Sequence, residues 1–125
     1  MFKQGPIPAF VHGLIEYGAG ALLIAAPFLL AFDSDTATAV SIIAGVAVLI
    51  IAASTAMSTG IIKSIPVPAH VILDYALAIL LIASPFLFGF DDDGTATAFF
   101  IVLGVVHLLL TIATRFMHAD TARDA

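Results

Sequence analysis

Two His-x-x-x-carboxylate-Tyr motifs hold most of the groups in this chain that can do chemistry. His12, Glu16 and Tyr17 form the first, and His70, Asp74 and Tyr75 form the second. Positions i and i+4 of a helix share a face, so each imidazole can meet its own carboxylate. His107 belongs with them by position, because Gly104, His107, Thr111 and Arg115 fall on one face of a later segment. Glu16 lies eight residues after Pro8 and His107 eight residues before Arg115. At 1.5 Å per residue, both stand ~12 Å from the same end of their helices. Glu16, Asp74, His12, His70 and His107 can therefore converge at one depth.

Composition sets what such a cluster is worth. Of 125 residues, 62% are hydrophobic and only 10% are charged, against about 25% charged in soluble domains. The charges are gathered in a few places, with long uncharged runs between them. This is the pattern of an integral membrane protein. Lys3, Lys63, Arg115 and Arg123 are the only cations, which excludes the basic footprint of a nucleic-acid binder. With no cysteine, thiol and disulfide chemistry are excluded. No nucleophile elbow, phosphate loop, HExxH or dinucleotide signature is present, and the connections are short, so an enzyme is not expected.

The elements that must position the cluster are four apolar spans, at about 9–32, 36–57, 69–90 and 95–117. The first is read as a retained helix and not a cleaved leader, because Glu16 interrupts it and its pattern returns at residue 69. Pro-x-Pro-Ala recurs at an offset of 60, the His-to-acidic-loop block at 58, and Thr-Ala-Thr-Ala at 59. The expected fold is all-α: four transmembrane helices in two tandem hairpins, about 8–57 and 68–117, forming a parallel internal repeat. All four cations fall on one side of that topology. The positive-inside rule then puts both termini and the 58–67 loop in the cytoplasm, with the acidic loops 33–35 and 91–94 outside. Ser34 or Asp35 is suited to cap the second helix. Ser41 and Gly45, like Ala52 and Ala56, form small-xxx-small pairs, which the abundance of Ala and Gly in membrane helices is enough to explain.

Near the outer ends stand Ala26-Pro27-Phe28 and Ser84-Pro85-Phe86. Each proline removes a helical hydrogen bond, to the carbonyls of Leu23 and Leu81, and is expected to bend its helix. Ser84 is placed to help satisfy the freed carbonyl in the second copy. With the carboxylates upstream (Glu16, Asp74), the dipeptides Ala31-Phe32 and Gly89-Phe90, and Gly45 and Gly104 in the second helices, the chain resembles the SPW-repeat proteins. These are small prokaryotic membrane proteins with a Ser-Pro-Trp motif in the first helix of a two-helix repeat. Phe28 and Phe86 stand where that motif has Trp, and Ala26 where it has Ser. The resemblance covers residues 8 to 117 and implies no established activity.

The His–carboxylate pattern fits three uses: a hydrogen-bonded cluster that fixes helix register, a proton- or ion-conducting relay, or a transition-metal site. The first is the expectation, since pairing is how membrane interiors satisfy polar groups. Spacing fixes no metal geometry, so no metal and no cofactor are expected. The reading is a structural or accessory membrane protein, surrounded by lipid, that self-associates or joins a larger complex. A small proton-coupled transporter or channel component is the alternative.

Overall fold

The computed structural model describes residues 6–56 and 58–115, without the Arg115 side chain. Four helices follow in chain order: α1 (Ala9–Leu29), α2 (Asp35–Ala53), α3 (Val67–Leu87) and α4 (Gly94–Ala113). Each has 19 to 21 residues, which at 1.5 Å per residue is about 30 Å, the thickness of bilayer hydrocarbon. All four are long and apolar enough to cross a membrane. The all-α, four-span class holds, and large apolar side chains such as Leu14, Ile43, Ile72 and Val102 cover the outside.

The helices stop short of the apolar spans, for reasons that are local. Phe32 N–H donates to Pro27 O at 3.0 Å and Phe90 N–H to Pro85 O at 2.9 Å. That 6→1 bond closes a helix when the residue before the donor is left-handed. Ala31 has φ 54° and Gly89 has φ 74°. The Ala-Phe and Gly-Phe dipeptides are thus helix terminators, with Phe32 packed against the core and Phe90 buried in it. Only two helical residues follow each proline. Pro27 and Pro85 sit in a final turn, so any bend they impose falls at the end of its helix. The carbonyl that Pro27 frees on Leu23 accepts a bond from Ser41 Oγ of α2 at 2.5 Å. Ser84 Oγ donates to Leu80 O at 2.6 Å, not to Leu81 O as expected. Both prolines are buried, whereas Phe28 and Phe86 are 70% and 62% exposed and face outward.

Helix α1 packs on α2, and α3 on α4. A Cβ on Gly45 would stand 2.6 Å from Gly20 O, and one on Gly104 3.0 Å from Ala78 O. The backbones touch there, as small residues allow in lipid. Ser41–Gly45 is therefore a packing seam and not a by-product of composition, while Ala56 lies beyond the end of α2. Buried positions run at helical spacing down each helix: His12, Glu16, Gly20, Leu23 and Pro27 on α1; His70, Asp74, Ala78, Leu81 and Pro85 on α3. Opposite them lie Ala37, Ser41, Gly45, Val48 and Ala52 on α2, and Ala96, Phe100, Gly104, His107 and Thr111 on α4. The interior is thus polar at one end, narrow at a waist of Gly and Ala, and apolar beyond it. Leu23, Leu81, Phe90 and Phe100 form that apolar part, with the Phe90 and Phe100 rings edge to face at 5.0 Å.

The two ends are closed differently. At the apolar end Ser34 caps α2 and Asp93 caps α4. Asp93 Oδ2 also accepts the N–H groups of Asp33 at 2.8 Å and Ser34 at 3.0 Å, tying one loop to the other. At the polar end two short parallel strands pair, β1 (Ile7–Pro8) with β2 (Thr114–Arg115), Ile7 opposite Thr114. Thr55 is bridged to Ile65 in the same parallel sense. The described residues between 54 and 66 fold back on themselves, with Ile65 N–H on Ser54 O at 2.7 Å and Ala56 N–H on Ile65 O at 2.8 Å.

Candidate functional site

The polar end of the interior is built by α1, α3 and α4. His12 and Glu16 are one turn apart on α1, as are His70 and Asp74 on α3, and the shared face turns both pairs inward. His12 is 0% exposed, Glu16 1%, His70 2%, Asp74 2% and His107 4%. Each imidazole meets its own carboxylate, His12 Nε2 to Glu16 Oε2 at 2.5 Å and His70 Nε2 to Asp74 Oδ2 at 3.1 Å. Each also meets the other's: His12 Nε2 to Asp74 Oδ2 at 2.9 Å, His70 Nε2 to Glu16 Oε2 at 2.8 Å. The result is a closed ring of two nitrogens and two oxygens, alternating.

Two threonines fix how that ring is presented. Thr114 Oγ1 lies 2.8 Å from His12 Nδ1, and Thr55 Oγ1 lies 2.6 Å from His70 Nδ1. Each hydroxyl donates its one proton to a carbonyl near the end of the helix just before it, Thr114 to Leu110 O and Thr55 to Ile51 O, both at 2.6 Å. Its oxygen can then only accept, so both histidines carry a proton on Nδ1 and turn Nε2 to the ring. Sequence reasoning passed over Thr55 and Thr114. Their signal was the repeat itself: they stand 59 residues apart, like Thr36 and Thr95.

His107 reaches the ring from α4. Its Nε2 lies 3.5 Å from Asp74 Oδ1 and makes no hydrogen bond. Val48 is the buried residue at the corresponding place on α2. Thr111 bonds the carbonyl of His107 at 2.8 Å, continuing the polar stripe predicted on α4, whose last member, the Arg115 side chain, lies outside the described residues. The tyrosines do not join the ring. Tyr17 donates its hydroxyl to Thr59 O at 2.7 Å, and Tyr75, half-buried, makes no bond to the ring among the described residues. Thr59 also packs directly on Gly13, so the 54–66 connection covers this end of the centre.

The described residues bury no Lys or Arg. Among the described residues the ring's two carboxylates are therefore paired with imidazoles and with no Lys or Arg, and the groups available are suited to sharing protons, locking helices together or holding a cation.

Comparison with known proteins agrees with the family resemblance. The family model for the SPW repeat domain matches residues 10–114. Searches of curated proteins and of solved structures return no match. The chain belongs to the SPW repeat family.

Proposed function

We propose that this member of the SPW repeat family is a structural or accessory component of the cytoplasmic membrane that self-associates or joins a larger membrane complex, and that it is not an enzyme. One observation carries the reading: the polar centre stops partway through the bundle. Beyond it lie the waist at Gly20, Gly45, Ala78 and Gly104, then Leu23, Leu81, Phe90 and Phe100. A proton or ion relay needs polar groups or water through the whole thickness of the membrane. The buried hydroxyls past the waist, Ser41 and Ser84, both donate to backbone carbonyls. Such an arrangement suits a lock that fixes the register of α1, α3 and α4.

The orientation proposed with it follows the cations: Lys3, Lys63, Arg115 and Arg123 put both termini and the 58–67 loop in the cytoplasm, and the acidic loops outside. Of these cations, Lys3, Arg123 and the Arg115 side chain lie outside the described residues. The test is gentle detergent extraction, native sizing and mass spectrometry of the intact particle. A homo-oligomer or a stoichiometric partner is expected. A monodisperse monomer, or proton flux in liposomes that Glu16→Gln with Asp74→Asn abolishes, overturns the reading in favour of transport.

A further inference from the structure

Lone pairs aimed at one point need a positive occupant. Nε2 of His12 and His70 present theirs because Thr114 and Thr55 hold the proton on Nδ1. Oε2 of Glu16 and Oδ2 of Asp74 face the same point, with N···O separations from 2.5 to 3.1 Å. One ligand atom from each of these four residues lies within 4.8 Å of all the others. The occupant is either two protons shared between nitrogen and oxygen or a single dication.

His107 discriminates between them. A proton-sharing ring is complete without it, and leaves Nε2 of a side chain that is 4% exposed with no hydrogen bond. Buried polar atoms are rarely left so. That nitrogen lies outside the set of four but 3.5 Å from Asp74 Oδ1, so an ion seated on Asp74 can take it as a fifth ligand after a small side-chain shift. We infer that His12, Glu16, His70 and Asp74 bind a divalent first-row transition ion, with His107 as an additional ligand.

The chemistry of the donors fits that class. Three imidazoles with two carboxylates suit zinc, manganese or ferrous iron, whereas Mg²⁺ and Ca²⁺ take oxygen ligands. Ligands about 2.1 Å from an ion stand about 3 Å apart at right angles and about 3.4 Å apart in a tetrahedron, so the contacts of 2.5 to 3.1 Å found here open slightly to admit one. Metal-bound histidines almost always donate their other N–H to a fixed acceptor, which sets tautomer and ring orientation. Thr55 and Thr114 do this for His70 and His12. The ion would neutralise both carboxylates and join α1, α3 and α4 through one atom. This goes beyond the accessory reading and does not rest on it.

The experiment uses the full chain in mild detergent, stripped with a chelator and titrated with Zn²⁺, Mn²⁺ and Co²⁺. Metal is counted by elemental analysis, and Co²⁺ is read by visible absorption and X-ray absorption fine structure. About one ion per chain is expected, with imidazole scattering around Co²⁺. His107→Val should weaken binding about 10-fold, and Glu16→Gln with Asp74→Asn at least about 100-fold, with helical circular dichroism recording the fold of each. Helical protein that takes up none of the three ions at millimolar concentration overturns the inference. So does binding that survives the double variant, which would place the ion on the acidic loops. Should the double variant fail to fold, the wild-type Co²⁺ spectrum decides, and a shell of oxygen without imidazole counts against the site.

Discussion

Asp93 does more than any other single residue at the apolar end. Burial pushes its carboxyl upward, but the N–H groups of Ser34, Ala96, Asp33 and Thr95 favour the ionised form and leave it below its ordinary value. A carboxyl depressed on folding contributes stability above its unfolded value, near 4, and loses it as pH falls through the folded one. Asp93→Ala should therefore lower stability by about 1 kcal/mol at neutral pH, the usual worth of a cap. That gap should narrow below about pH 4, as thermal melts in detergent across pH would record. Sequence reading grouped this residue with the other acids of the outer loops. Asp91 and Asp92 are exposed as such acids are, while Asp93 is 6% exposed. The difference was hidden because Asp93 bonds a loop 60 residues away. By contrast His12, Glu16, His70 and Asp74 were legible, since an i, i+4 pair repeated in two apolar spans leaves its polar groups little to meet but one another.

The helix ends repay attention at the scale of whole elements. Lengths estimated from hydropathy ran past the true ends because Phe32 and Phe90 are apolar and read as part of the span. The left-handed residue just before each phenylalanine is what stops the helix, and only Gly89 advertised it. Ala31 occupies the same conformation with a Cβ, at φ 54°. That geometry costs an L-residue roughly 1–2 kcal/mol, part of which a glycine returns as backbone entropy. Ala31→Gly should raise the stability of the protein by about 1 kcal/mol, measured by chemical or thermal denaturation in detergent. Gly89→Ala should lower it by a similar amount. The close contact of Gly45 with Gly20 was equally hard to foresee, because spacing alone does not say which small residues face a neighbour.

Taken whole, the bundle is apolar at one end and polar at the other, and its four spans were evident from composition and length. What joins the parts was not, since it lies in short backbone contacts that carry no hydropathy. Ile7 stands to Thr114 as Ile65 stands to Thr55, each pair parallel and each threonine bonded to the nearby histidine. In contact terms the chain is a ring, and its opening between β2 and β1 is one of two equivalent places. A circular permutant follows from this. Opened at Gly60 and joined from residue 115 to residue 7 by a short linker, the chain would present α3 and α4 before α1 and α2, with every helix between its present neighbours. It should fold with the same helical content and melt within about 1–2 kcal/mol of the parent, the range of a typical single substitution. Order along the chain would then be a matter of genetic punctuation, and the molecule itself would have no first half.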